Sequence, residues 1–226
     1  MYYCNSVFFS EDTPISMCES VEIDETTSEL QIMKSSFAEP DVAFIVEGEK
    51  IFTHRAELAK KSPVFNSMFS SNFKERDKFE IELPGKTMRH FLMFLRCTLD
   101  GYRDDIKDDN VHFVMALAHE YQVKEIMERA DIFLADRFSS KGIKGCNSDT
   151  IIQGILEAEK FEITKTLDVL IGLASKKMLK YFSSANGYDE IRKSTLHRIA
   201  MKRWEDNINP KDGSSVYVYP IQSQLR

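Results

Sequence analysis

Five histidines, four cysteines and two pairs of adjacent aspartates are the residues of this 226-residue chain whose types could carry chemistry. His112 and His119 lie seven apart and can share one helix face, but a zinc site needs a third ligand and no candidate lies near. His119-Glu120 begins an H-E-x-x-H pattern, in which two histidines bind zinc and the glutamate acts as base. Val123 stands where the second histidine belongs. Asp104-Asp105 and Asp108-Asp109 sit in a polar stretch with nothing to raise a carboxyl pKa, so they read as solvated acids. GIKGCNS (142–148) has glycines but not the lysine-hydroxyl end of a phosphate loop, and no G-x-S-x-G occurs. Cys97 falls inside an amphipathic run, where a cysteine is usually packing. A hydrolase built on Cys97 is the remaining enzymatic reading. The expectation is no enzyme, no catalytic residues, no metal and no cofactor.

A different stretch asks a question about binding. SPVFNSMFSSNFKE (62–75) places Phe65, Phe69 and Phe73 four apart and follows the third with Lys74 and Glu75. Ser62-Pro63 is a helix start, an N-cap followed by proline where a missing N–H does no harm. Phe65, Met68 and Phe69 then share a buried side. Phe73 comes where the helix should run out. It either folds back under the helix or stands free as an anchor for a partner.

The elements that position this stretch follow from pattern. DVAFIVE (41–47) alternates apolar residues, Glu47-Gly48-Glu49 is turn chemistry and KIFT (50–53) returns as the hairpin partner. A helix covers His54 to Lys61. FEIEL (79–83) is a third strand stopped by Pro84-Gly85, and Lys86 to Leu99 is helical. Asn110–Tyr121 and Lys124–Phe138 form a helix pair, SSKGIKG (139–145) a linker, and Asp149–Glu162 with Thr164–Phe182 a second pair. Tyr188 to Glu205 is one more helix, and the chain after Pro210 is loose. An internal echo links the pairs: Ala118-x-x-Tyr121-x-Val123 recurs as Ala158-x-x-Phe161-x-Ile163. Two copies are too few for a solenoid but suit two stacked hairpins.

Charge is distributed unevenly. Up to Asp41 there are nine acids against Lys34 alone, although the whole chain carries only −6. Residues 1–26 read as a flexible acidic tail, and Ser28 to Phe37 as a short helix with Leu30, Met33 and Phe37 on one face. No concentrated basic stripe exists, which argues against nucleic acid as a partner. No apolar run is long enough to span a membrane, the N-terminus lacks a signal-peptide pattern, and the cysteines show no disulfide spacing. The expected location is therefore the cytoplasm, the nucleus or both.

The order from Asp41 to Phe138 resembles a BTB/POZ domain. It runs Asp41-Val42-x-x-x-Val46, then His54-Arg55-x-x-Leu58, Ser62-x-x-Phe65-x-x-x-Phe69, FEIELP, a helix and ALAHEYQVKEI. The resemblance implies an α+β BTB/POZ fold, a small β-sheet flanked by α-helical hairpins, followed here by additional helical pairs. It implies a BTB/POZ domain over 27–138. The segment 147–205, on Leu156-x-Ala158-x-x-Phe161 and Leu167, looks like the 3-box or BACK extension, with a loose tail at 206–226. Glu39-Pro40-Asp41-Val42 at the entry is most similar to BTB regions of MATH–BTB proteins. The family serves as an interaction module, often a homodimer, and some members recruit cullin-3 through a hydrophobic-x-glutamate motif after this helix. Phe73-Lys74-Glu75 fits that motif, and Tyr102 stands near the place, after CTLDG, where many members carry a contact tyrosine. The resemblance also implies a dimer interface on Leu30, Met33 and Phe37, with Asp41 and Arg55 as a charged pair beside it. That pair reads here as a structural ion pair. The implied function is an adaptor linking a protein substrate of unknown identity to a cullin-3 ubiquitin ligase. The alternative is a BTB oligomerisation scaffold with no ligase role.

Overall fold

The protein is described by a computed structural model covering residues 39–70 and 73–208. The acidic tail, the helix expected at Ser28–Phe37 with Leu30, Met33 and Phe37, and the segment after Pro210 lie outside the described residues.

Three strands form a small sheet in the order β2-β1-β3. β1 (Val42–Val46) and β2 (Glu49–Thr53) pair antiparallel across a two-residue turn, and both Glu47 (φ 52) and Gly48 (φ 84) are left-handed. Such a turn matches strand twist, and glycine adopts it without penalty. β3 (Glu80–Glu82) runs parallel to β1, with Phe44 opposite Ile81. Alternation along the strands turns Val42, Phe44, Val46, Ile51 and Ile81 into the core.

α1 (Arg55–Lys61), α2 (Pro63–Met68) and α3 (Met88–Thr98) pack around an aromatic centre. Phe65 stacks on Tyr121 at 4.4 Å, and Phe44 meets Phe91 edge-on at 5.5 Å. α4 (Val111–Glu120) and α5 (Lys124–Gly145) form the first hairpin, α6 (Ser148–Phe161) and α7 (Thr164–Ser175) the second. The sequence echo is a shared turn. Gln122 and Glu162 are both left-handed (φ 54 and 57), and Val123 and Ile163 donate back to the carbonyls of Ala118 and Ala158 at 2.8 and 3.1 Å. Helices closed this way satisfy end carbonyls that would otherwise be orphaned. His112 and His119, which lack a third zinc ligand, join the hairpins. His112 Nδ1 lies 2.7 Å from Glu157 Oε1, and His119 meets Phe161 edge-on at 5.4 Å.

Three boundaries differ from the sequence reading. Residues 139–141 continue α5 rather than forming a linker, and the backbone breaks only at Gly142 (φ 58, ψ −169). α7 ends at Ser175 instead of running to Phe182, because the Arg203 guanidinium reaches in from α9 (Lys193–Ile208). It donates to the carbonyls of Ala174, Ser175 and Lys177, each at 3.0 Å. A separate turn, α8 (Leu179–Phe182), follows. The helix expected from Tyr188 begins as a 3-10 turn (Tyr188–Glu190) and restarts at Lys193, where buried Glu159 accepts from the Arg192 N–H at 3.2 Å. Long-range side chains, not local signals, set the last two of these ends.

α6 crosses α7 at Gly154. A Cβ there would sit 3.0 Å from both Leu170 Cδ1 and Phe138 Cζ. Gly154→Ala gains helix propensity of about 1 kcal/mol and meets contacts that must give slightly, so it should be close to neutral. Gly154→Leu overpacks the crossing and should lower stability by about 2 kcal/mol, read as a shifted midpoint in urea unfolding. Equal midpoints for the two variants would show that the crossing tolerates bulk.

Candidate partner-binding site

The three phenylalanines of residues 62–75 take three different environments. Ser62 caps α2 by accepting from the Phe65 N–H at 3.0 Å, and its own hydroxyl donates to the Tyr121 carbonyl at 2.5 Å. This fixes α2 on the first hairpin and buries Phe65 completely. The helix then stops at Met68. Phe69, at its C-cap, is half-buried, stacked on Phe65 at 6.1 Å and covered by the Arg55 guanidinium at 4.9 Å. The helical row is broken there, so Phe73 does not continue it. Its side chain is 52% exposed.

A tight turn carries Phe73 and Glu75. The Arg76 N–H donates to the Phe73 carbonyl at 3.2 Å and the Lys78 N–H to the Glu75 carbonyl at 3.3 Å. Arg55 clamps it. The guanidinium donates to the carbonyls of Glu75 (3.3 Å), Arg76 (2.7 Å), Lys78 and Asp41 (3.4 Å). A planar fork of five donors suits this task, where a lysine could meet only part of it. The side-chain ion pair expected between Asp41 and Arg55 is not the contact that forms. The Asp41 carboxylate instead accepts from the Arg55 backbone N–H at 2.8 Å, capping α1 where His54 offers no side-chain bond.

Phe73 and Glu75 together edge a cleft of about 290 Å³ that Val64, Met68 and Gln122 also line. Glu75 is half-buried, Lys74 is exposed, and neither side chain has an ion pair among the described residues. An aromatic face beside an unpaired carboxylate is a surface that a partner can complete by burying the ring and supplying a donor. Gln122 also borders a larger groove of about 570 Å³ between the two hairpins, so the surface continues toward Met127 and Phe161.

Tyr102 is placed elsewhere. It is half-buried on the turn after α3, under the Arg96 guanidinium at 5.2 Å, and lines a separate cleft with Met93 and Asp104. The link between the two regions is Lys61, which ion-pairs with Asp100 at 2.7 Å and with Glu125 at 2.9 Å. The hydrogen bonds to Asp100 and Glu125 raise the Lys61 pKa, and the bond from Lys61 holds both carboxyls below their ordinary range. Depressed carboxyls stabilise the fold above their unfolded pKa values of about 4, and that contribution is lost as pH falls through the lower folded values. Lys61→Met should therefore narrow the stability gap to wild type progressively below about pH 4, measured by urea midpoints across pH. A pH-independent gap would contradict this.

Cys97 is buried, and burial pushes its thiol up to about 11, so it is protonated at neutral pH and a poor nucleophile. Among the described residues no group of three or more His, Cys, Asp or Glu could hold a metal ion, and no helix is long and apolar enough to cross a membrane. Sequence reasoning missed the clamp of Arg55 and the part of Gln122. Neither has a local signal, because both act on residues more than ten positions away or on the far side of a turn.

The family model of the BTB/POZ domain matches residues 31–137, and this part of the chain is a BTB/POZ domain. BTB and MATH domain-containing protein 38 of Caenorhabditis elegans is 33% identical over 94 residues, 42% of this chain and 24% of that protein. Kelch-like protein 36 of Mus musculus is 28% identical over 155 residues, 64% of this chain and 25% of that protein. Kelch-like protein 7 of Homo sapiens is 22% identical over 177 residues, 78% of this chain and 28% of that protein. The chain thus spans about a quarter of the length of these curated relatives. The solved BTB domain of human Gigaxonin aligns with a TM-score of 0.38 and 21% identity, over 52% of this chain and 98% of that one.

Proposed function

We propose that this chain is a protein-interaction adaptor that docks a cullin-3-type scaffold on its Phe73–Glu75 turn and brings a protein substrate to the ubiquitin ligase the scaffold carries. The observation that carries the reading is the exposure of Phe73 beside the unpaired Glu75 on a turn clamped by Arg55. The domain matched at 31–137 supplies the family context, and the longer matches to Kelch-like proteins extend beyond it. Phe73 is the apolar anchor, Glu75 the rim acceptor and Lys74 a steering charge, with Tyr102 a peripheral contact on the neighbouring cleft. In this reading residues 27–138 form the docking domain, 147–205 its helical extension, and 1–26 and 206–226 tails. Two copies associate through an isologous face on Leu30, Met33 and Phe37 edged by Asp41, while Arg55 shapes the docking turn. Its action is to convert a rare encounter into a persistent one in the cytoplasm or nucleus, with no chemistry of its own.

The test is a calorimetric titration with the N-terminal domain of cullin-3. Sub-micromolar binding, better than about −8 kcal/mol, supports the reading. Glu75→Ala should weaken it about tenfold, a loss of ~1.4 kcal/mol. Absence of binding by the folded wild-type chain would return the domain to a BTB scaffold without a ligase role.

A further inference from the structure

Of the eight large apolar side chains that stand exposed among the described residues, three fall within four positions of α8 and its preceding residue: Met178 (68% exposed), Leu179 (57%) and Tyr181 (61%). Contacts within the fold place them there. Phe182 is buried and meets Tyr188 edge-on at 5.7 Å, and the N–H groups of Phe182 and Ser183 return to the carbonyls of Met178 and Leu179 at 3.0 and 2.8 Å. The flanking cations divide into two kinds. Lys177 is occupied within the fold, donating to the carbonyls of Ile143 and Cys146 at 2.9 and 2.5 Å. Lys176 and Lys180 are exposed, and their ammonium groups have no partner among the described residues. A fixed apolar patch beside two unpaired ammonium groups fits a ligand that is acidic and apolar within one short stretch.

The chain itself contains such a stretch. Residues 11–29 carry Glu11, Asp12, Glu19, Glu22, Asp24, Glu25 and Glu29 with no lysine or arginine, and Ile15, Met17, Val21 and Ile23 are interleaved among them. We propose that this acidic segment docks on the Met178–Leu179–Tyr181 patch of its own chain, its carboxylates against Lys176 and Lys180. Tethering favours the contact within one chain. A weak electrostatic and apolar interaction that would be sparse between molecules is favoured when both parts belong to one chain. The docked segment would shield the patch from any acidic partner, which makes it a self-masking contact independent of the Phe73 turn.

The test uses the full chain carrying Cys4→Ser, with a nitroxide on Cys18. Cys97 and Cys146 are both buried, so labelling falls on Cys18. The readout is the methyl signal of Met178 in chain labelled at its methionine methyl groups, with buried Met115 as internal reference. The Met178 signal should be severalfold weaker with the nitroxide oxidised than reduced. It should recover in Lys176→Glu/Lys180→Glu, and also at 1 M salt, where screening acts within about 3 Å. Both lysines are exposed, so the double variant should unfold as wild type does. A Met178 signal indifferent to the nitroxide overturns the proposal. So does equal broadening in the charge-reversed variant, or broadening of the same size in methyl-labelled copies that lack the nitroxide when they are mixed with nitroxide-bearing copies.

Discussion

Phe73→Asp is expected to weaken binding of the cullin-3 N-terminal domain by about 100-fold or more, while the variant unfolds at the wild-type midpoint. The two halves of this expectation come from the same observation. Phe73 is 52% exposed and has no ring partner among the described residues, so its removal opens no cavity in the free protein. Exposed substitutions of this kind usually stay within about 0.5 kcal/mol of wild type. In a complex, a desolvated aromatic anchor is worth about 2–4 kcal/mol, and aspartate adds an unpaired charge where the partner's pocket expects a ring. Phe65 offers the contrast within one sequence stretch. It is fully buried against Tyr121, and Phe65→Ala should lose about 3–5 kcal/mol of stability. Calorimetry of binding and urea unfolding on the two variants separate the roles. Wild-type affinity in folded Phe73→Asp would remove Phe73 from the interface.

The difference between these two phenylalanines shows what was legible in the sequence. Spacing assigned Phe65 and Phe69 to one side of a helix, and Ser62-Pro63 marked its start correctly. The strand alternation of residues 41–47 and the repeated Ala-x-x-aromatic-x-aliphatic turn were equally readable, because each rests on neighbours within a few positions. What pattern could not decide was where helices end. α2 stops at Met68 with its C-cap Phe69 covered by Arg55 from another helix, and α7 stops where Arg203 takes its carbonyls. SSKGIKG looked like a linker because it holds two glycines, yet only Gly142 adopts a backbone that breaks the helix. In the candidate site, Phe73, Lys74 and Glu75 were legible through a family motif, whereas the clamp that presents them was not. Arg55 lies 20 residues from the Glu75 carbonyl it binds, and nothing local distinguishes it from a surface arginine.

Asp131 is the strongest case of such a distant contact, and its removal should cost the fold far more than the exposed Phe73→Asp does. α7 has no side-chain cap of its own, since Ile163 stands at its N-cap position. Asp131, buried on α5, replaces it. Its carboxylate accepts from the backbone N–H groups of Lys165 (3.0 Å) and Thr166 (2.7 Å) and from the Thr166 hydroxyl (2.8 Å). One carboxylate therefore satisfies the first turn of α7 and joins the second hairpin to the first. Asp131→Ala leaves buried donors unmet, at about 1–3 kcal/mol for each orphaned group, and removes a favourable charge from a helix N-terminus. A total loss of about 3 kcal/mol is expected from urea unfolding, with Asp131→Asn losing less because one oxygen remains to accept. Hydrogen exchange should localise the damage. Amides of α7 and α9 should lose protection before those of β1 and α3, because α7 is the element on which α9 packs. An unchanged midpoint for Asp131→Ala would mean that water caps α7 as well as the carboxylate does. The joint between the hairpins would then rest on Phe138 packed at Gly154, with His112 on Glu157 and His119 on Phe161.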